Sequence, residues 1–278
     1  ISAYNFKKII IYLKKNYNLL DADIFLKKFN NGRLKNGDVC LSFDDGLKSQ
    51  YKIALPILKQ YKIKALFFVF TESFSKKINK LELFKYFRSV QFSKIDDFYK
   101  VFNSEVKSLK NIEVEQLKLK FKKSNYLKEF LFYSYNDKFF RYLRDQYLKN
   151  NEYEEIMMKI IKDCKFNTKL VSNKLYFNIN ELKKIKHEDH IIGLHSHTHP
   201  TNIDRFSYNK QLNEYRSNKI FIEKKLNCKI ETMAHPCGKF NLNTNKILKN
   251  LNIKIGFGIN INKNKNIYNF SRLDCAYI

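Results

Sequence analysis

Val39-Cys40-Leu41-Ser42-Phe43-Asp44-Asp45-Gly46 is the stretch on which the fold turns. Its first half is an apolar run of strand length, and its second half is a turn signal. Downstream, Ala54, Leu55, Leu58 and Tyr61 mark a helix, and Pro56 inside that pattern predicts an irregular start or a kink. Ala65 to Phe70 follows as a second strand, apolar throughout, as expected when both faces are covered. Strand, helix and strand in this order are the unit of an α/β fold with a parallel sheet.

The pattern extends outward from this unit. Phe6, Ile9, Ile10 and Leu13 predict an amphipathic helix over residues 5–16. From 74 to 170 the chain changes character, with no Gly, Pro or His and a density of Lys, Phe, Tyr and Leu. Leu127, Phe130, Leu131, Phe139, Phe140, Leu143 and Tyr147 recur by threes and fours, which predicts three to five helices. These form an inserted subdomain or cap; the alternative places them in the main α/β layer. The α/β rhythm returns near Tyr176. Asn178 with Glu181 three residues on forms a capping box for a helix through Ile185. Ile191 to Leu194 is a strand ending at His195. Ser207 starts a helix with Leu212, Tyr215, Ile222 and Leu226 on one face. Thr232 to Ala234 is a short strand, Asn243 to Leu251 a helix, and Ile255 to Ile259 a strand. The expected organisation is therefore 1–73 and 171–278 as the two parts of one α/β body, with 74–170 inserted.

At 278 residues the chain can bury a full core. Its 44% hydrophobic content, with 25 Phe and 18 Tyr, excludes wholesale disorder. No apolar run approaches the roughly 18 residues of a transmembrane helix. Fifty-three Lys and Arg against 27 Asp and Glu give a net charge of +26, which suggests a polyanion partner. The lysines are spread along the chain without an Arg-rich block, so compositional drift is the favoured cause and specific nucleic-acid binding is not expected. Five cysteines at irregular spacing, with no Cys-x-x-Cys, make no disulfide framework and fit a reducing compartment, the cytoplasm first. The first fifteen residues carry no leader-peptide pattern.

All six histidines fall between His187 and His235, and His195, His197 and His199 alternate directly after a strand. Asp44/Asp45, His195/His199 and His235 are all placed at strand C-terminal ends, the edge where α/β folds build their sites. Two His and one carboxylate with open positions suit zinc or a related divalent ion. Such an ion acidifies water and polarises a carbonyl, and an adjacent carboxylate can accept the proton. Asp44 and Asp45 supply one carboxylate for each task. An Asp-Asp-Gly alone is a common turn and a lone His a common surface residue; the combination at matching strand ends carries the reading.

These residues resemble a known family. Leu41-Ser42-Phe43-Asp44-Asp45-Gly46, then Leu55-Pro56-Ile57-Leu58 and Lys64 to Val69, are similar to the first motif region of the polysaccharide deacetylase (NodB-homology) family. Ile192 to Pro200 resembles its His-Ser/Thr-x-x-His-Pro motif, and Ala234-His235-Pro236-Cys237-Gly238 its third motif. The resemblance covers residues 5–72 and 174–274. It implies a distorted (β/α) barrel of about seven parallel strands with a helical insertion. It implies a metal-dependent hydrolase that removes N-acetyl groups from a polysaccharide or oligosaccharide, with metal-activated water attacking the acetyl carbonyl. Asp44 would be the general base, and Asp45, His195 and His199 the ligands of a divalent metal, zinc first, with cobalt, nickel or manganese as alternatives. Ser196 would brace the loop, and the Cys237 amide would hold the oxyanion. Where many members have an arginine to orient the base, this chain has Ala234; Arg272, in Ser271-Arg272-Leu273-Asp274, is the expected substitute. No His follows His235 in this sequence, so either the chain is cut before the family's C-terminal Leu-x-His motif, or the acid is different, or activity is impaired; His235 is the substitute candidate by position, with His197 next. His197 is otherwise expected to face solvent. Two other readings stay open: an amidohydrolase acting on a small sugar or nucleotide-sugar, and a catalytically impaired glycan- or polyanion-binding protein.

Overall fold

The computed structural model describes residues 2–75, 79–128, 130–168, 171–259 and 266–275. They form two compact units, 1–77 with 172–278, and 78–171. The first unit opens with α1 (Ala3–Asn16), β1 (Asn18–Leu19), α2 (Ala22–Asn30), β2 (Asp38–Val39) and β3 (Ser42–Phe43). α3 (Leu55–Gln60) and β4 (Leu66–Val69) complete the first crossover. The second unit holds α4 (Lys80–Gln91), α5 (Ile95–Lys110), α6 (Val114–Lys123), α7 (Tyr135–Tyr142) and α8 (Asn150–Asp163). The chain returns through α9 (Ser172–Leu175), α10 (Ile179–His187) and β5 (Ile191–Leu194). Then come α11 (Tyr208–Leu226), β6 (Thr232–Ala234), α12 (Leu242–Asn250) and β7 (Ile255–Phe257).

About seven parallel strands were expected in one barrel; the described residues hold seven, divided into a two-stranded ribbon, β1-β2, and a five-stranded sheet in the order β3-β4-β5-β6-β7. The run from Val39 to Phe43, expected as one strand, is broken because its two ends have different partners. Val39 O accepts from Leu20 N in the ribbon, and Leu41 O accepts from Leu66 N in the main sheet. The irregular helix start near Pro56 is a π-helical turn over Gln50–Ala54, where Leu55 N–H reaches back to Gln50 O. Proline has no N–H to donate and its ring crowds the preceding turn, so a widened turn ahead of it is an expected resolution.

Side chains of β4 alternate between two apolar layers. Phe67 and Val69 enter the larger core with Phe6, Ile10, Leu58, Ile192, Leu194, Tyr215 and Met233, beneath the helices. Leu66 and Phe68 enter a second cluster with Phe25, Ala234, Ile255 and Phe257 inside the curl of the sheet. The continuous apolar run of residues 65–70 follows from this two-sided burial. Gly193, at the centre of β5, is a packing requirement: a Cβ there would sit 2.5 Å from the Phe68 ring and 2.6 Å from Thr232 Oγ1. The helical unit has an aromatic core of its own, with Phe84, Phe87, Phe98, Phe102, Phe139 and Phe140 all fully buried.

His190 closes α10 onto the sheet. It is 2% exposed, and its Nδ1 accepts the Ala65 N–H at 3.0 Å. Burial, helped by Lys64, pushes its pKa down from 6.5 to about 4. The folded state thus favours the neutral ring. Its contribution is complete above pH 6.5 and is lost as pH falls toward 4. The loss is on the order of 3 kcal/mol. Urea midpoints measured between pH 7 and pH 4 should fall, and less steeply for His190→Asn, which keeps an acceptor without titrating. Equal slopes would refute the assignment. Gly193→Ala should lose about 1–3 kcal/mol in the same assay through overpacking; an unchanged midpoint would show that Phe68 can move aside.

Candidate metal and catalytic site

The site is built at the C-terminal ends of the five parallel strands. β3 runs into Asp44 and Asp45, β5 into His195, and β6 into His235. Past β7, the segment 266–272 returns beside it: Phe270 N donates to Gly256 O at 2.7 Å and Gly258 N to Phe270 O at 2.9 Å. This return brings Arg272 to the same edge.

Asp45 Oδ1 lies 3.3 Å from His195 Nε2 and 3.2 Å from His199 Nε2. The three ligand atoms fall within 4.8 Å of one another. His195 Nδ1 is 2.9 Å from Ala234 O, a contact that needs the proton on Nδ1. In the neutral ring, Nε2 then presents a lone pair to a carboxylate oxygen that is itself buried without a hydrogen-bond partner. A nitrogen lone pair facing an anionic oxygen at this range requires positive charge between them, a proton or a cation. A divalent cation meets that requirement for all three groups at once, and two imidazoles with one carboxylate form the donor set of hydrolytic zinc sites. The same demand appears in the ionisation equilibria. Burial opposes charge on Asp45, yet the two imidazoles hold its carboxyl well below the usual range. Burial likewise opposes charge on His195, and the two carboxylates outweigh it and raise its pKa.

Asp44, beside this cluster, is gripped by Arg272. Nη1 donates to Oδ1 at 2.7 Å and Nη2 to Oδ2 at 2.8 Å. The guanidinium is itself fixed, with Nε donating to Gly258 O at 2.6 Å and Nη1 to Ser42 Oγ at 3.3 Å. Burial opposes ionisation of Asp44, but Arg272 and His195 together outweigh it and hold the carboxyl below its ordinary value. β3 and β7 are the two edges of the sheet, and in a flat sheet four strand spacings would separate them by about 19 Å. The pair Asp44–Arg272 spans them only because the sheet curls into a partial barrel.

The loop that carries the histidines is held from α11. Asn218 is fully buried; its Oδ1 accepts the His195 N–H at 3.0 Å, and its Nδ2 donates to Val69 O and Thr71 Oγ1. Glu214 accepts the N–H groups of His197 and Thr198 and the Thr198 hydroxyl. Ser196 Oγ accepts the His199 N–H at 3.1 Å. Asp45, Ser196, His199 and Cys237 have φ of 72°, 68°, 56° and 51°, the left-handed region that costs L-residues energy and concentrates at functional sites. Gly46 follows at φ 69°, with Phe177 only 3.2 Å from where a Cβ would be. Neither Asn218 nor Glu214 stands out in the sequence. The available signal is Gln211, Glu214 and Asn218 recurring by threes and fours on the same helix as Tyr215 and Ile222, a polar line along a buried face.

Two sequence expectations need correction. His235 is not placed as a proton donor. It is fully buried, stacks on Phe240 at 4.7 Å, and directs Nε2 at Tyr268 O. Burial pushes its pKa down to about 4, so near neutrality it is an uncharged ring with its one proton already shared. His197, expected to face solvent, is half-buried with Nδ1 shielded. Cys237 stands exposed on a tight turn, where Gly238 N donates to His235 O at 2.9 Å.

A sequence-family model described as polysaccharide deacetylase matches residues 31–107 and 149–256. The match includes both aspartates, all three site histidines and Cys237, and stops short of Arg272. No curated protein sequence matches the chain. Among solved structures, the Streptococcus pyogenes deacetylase PplD, in complex with acetate, is 17% identical with a TM-score of 0.54, covering 96% of this chain and 77% of that one. IcaB from Ammonifex degensii is 14% identical with a TM-score of 0.54, covering 94% and 77%. A de-N-acetylase from Aggregatibacter actinomycetemcomitans is 16% identical with a TM-score of 0.55, covering 98% and 84%. At these identities the likeness is one of fold.

The geometry makes a prediction independent of activity. Zinc added to the chelator-treated protein should raise its melting temperature, and Asp45→Asn should abolish that rise. A full zinc-dependent rise in Asp45→Asn would remove Asp45 from the ligand set.

Proposed function

This chain belongs to the polysaccharide deacetylase family, hydrolases of N-acetyl amide bonds in carbohydrates, and we propose that it uses Asp45, His195 and His199 to hold a divalent cation and Asp44 as general base. The observation that carries this reading is the convergence of those three ligand atoms within 4.8 Å, directly beside an aspartate gripped by Arg272. Zinc is the ion proposed, with cobalt, nickel and manganese as the alternatives the donor set also accepts. When bound, such a cation supplies Lewis acidity, acidifying water and polarising the acetyl carbonyl.

The chain's own groups account for the remaining tasks. Asp44 stays ionised near neutrality because Arg272, with His195, outweighs its burial, so it can accept a proton from the attacking water. Arg272 is a positioning residue: its fork fixes both carboxylate oxygens and, through Gly258 O, ties them to the opposite edge of the sheet. It takes the place of the motif arginine that this chain lacks at Ala234. The Cys237 amide, on an exposed left-handed turn, is the proposed donor to the developing oxyanion. The substrate proposed is an N-acetylhexosamine residue within an oligosaccharide or polysaccharide.

Acetate release from N-acetylglucosamine oligomers tests the assignment. Asp44→Asn should lower kcat by about 100-fold to 10,000-fold, the usual worth of a general base. Arg272→Ala should lower kcat by roughly tenfold to 100-fold with KM unchanged, and Arg272→Lys should recover part of it, because lysine restores charge without the fork. Full activity in Asp44→Asn would sink the proposed base. Release from the monomer and none from oligomers would move the substrate to a small sugar.

A further inference from the structure

The helical unit holds a charge that its own residues leave unmatched. Only seven of the chain's 53 cationic side chains are arginines, and three of those, Arg88, Arg141 and Arg144, lie in this unit. Two are neutralised. Arg141 Nε donates to Asp137 Oδ2 at 2.8 Å, and Arg144 grips Asp145 through Nε at 2.5 Å and Nη2 at 2.8 Å. Asp137 and Asp145 also accept from the Tyr99 and Tyr126 hydroxyls, so both carboxylates are fully engaged.

Arg88, on α4, has no such partner among the described residues. Its guanidinium lies between two aromatic faces, 4.6 Å from the centroid of Phe140 and 5.3 Å from that of Phe98. Its Nε is buried with no hydrogen-bond partner. The guanidinium of Arg144 packs against the same Phe140 ring at 5.9 Å, but its charge is already matched by Asp145. Burial pushes the Arg88 pKa down, the signature of a charge without a counter-charge. Aromatic faces offset part of the lost hydration of a guanidinium, but they accept no in-plane hydrogen bonds. Nε is shut off from solvent, but the residue is half-buried and its terminal Nη groups are not among the buried atoms without a partner, so these are the part of the guanidinium that a ligand can reach.

We propose that Arg88 is the anchor of an oxyanion-binding site in the helical unit, taking the phosphate or carboxylate group of a small ligand. A guanidinium wedged between rings is pre-oriented, and its planar fork matches two oxygens of either group. A purely structural cation–π contact would leave the charge without a counter-charge, whereas a bound oxyanion would supply one together with acceptors for the terminal Nη groups. The site uses none of the residues assigned to deacetylation, so the proposal stands or falls separately from that reading.

Calorimetric titration of the full chain with inorganic phosphate, and separately with glucuronate, tests it at ionic strength held constant with sodium chloride. One of the two should fill a single saturable site, and which one does identifies the oxyanion. Arg88→Gln should weaken that binding by about tenfold or more, the loss of roughly one charge-assisted contact. Arg88→Lys should weaken it less, and Lys225→Gln, an exposed cation on α11, should leave it unchanged. Acetate release should be the same in all three variants. Absence of a saturable site for both anions in the wild type would overturn the proposal, as would wild-type affinity in Arg88→Gln. Should the Arg88 variants fail to fold, phenylglyoxal labelling of the wild type read by peptide mass spectrometry decides. Phosphate or glucuronate should protect Arg88; a residue that is unprotected, or unreactive without anion, refutes an accessible site.

Discussion

One carboxylate oxygen facing two imidazole nitrogens in a buried place is the arrangement on which the rest of this unit depends. With the His195 proton on Nδ1, its Nε2 lone pair and Asp45 Oδ1 repel unless positive charge lies between them, and a chain free to relax would separate them. Here it cannot relax. His195 is fixed at both ends of its polar inventory, by Asn218 at the backbone and by Ala234 O at Nδ1. The loop to His199 is fastened by Glu214 and by Ser196 Oγ, and several of its residues are held at positive φ. Strain of this kind persists only where surrounding contacts over-determine it. The buried polar face of α11 is therefore part of the site, although no atom of it is a proposed ligand.

The curl of the sheet is the second dependency. Parallel strands deliver their C-terminal ends to one edge, which is enough to bring Asp45, His195 and His199 together from β3 and β5. It is not enough for Arg272, whose β7 neighbourhood lies at the far edge. Only curling closes that distance, and the Asp44–Arg272 pair, 228 residues apart in sequence, bridges the two edges. Phe68, Phe257, Phe25 and Ala234 fill the interior of the curl, and Gly193 leaves room for Phe68 within it. Core packing and the orientation of the proposed base are thus one problem: the residues that set the curvature also set where Arg272 can reach.

Arg272 and His235 show how far motif reasoning carries. A missing arginine at Ala234 implied a replacement, and the arginine of the C-terminal segment has the bidentate geometry such a role needs. The same reasoning gave His235 a proton-donor role, on the ground that no later histidine exists. Its ring instead stacks on Phe240 and spends its proton on Tyr268 O, a fate set by neighbours remote in sequence. Asn218 and Glu214 were hidden for a related reason. Amphipathic analysis looks for apolar residues on a buried face, and α11 buries Gln211, Glu214 and Asn218 beside Tyr215 and Ile222. A polar residue on a buried face is recognised only when its partner's position is known.

Local and periodic properties were legible in the sequence by itself. These were the strand–helix–strand unit around Asp44-Asp45-Gly46, the capping box at Asn178 and Glu181, the irregular turn ahead of Pro56, the helical character of the 74–170 segment, and the position of Asp44, Asp45 and His195 at strand ends. Each depends on residues within a turn or two of one another, where steric and hydrogen-bonding preferences act directly. Tertiary structure alone decided the division of Val39–Phe43 between two sheets, the curl that joins Asp44 to Arg272, the anchoring of the histidine loop by α11, and the burial that silences His235. It also set Arg88 between Phe98 and Phe140, in a unit whose Asp137 and Asp145 are paired with Arg141 and Arg144. All of these are set by which groups meet across the core, and hydrogen bonding and desolvation are properties of the meeting rather than of either residue.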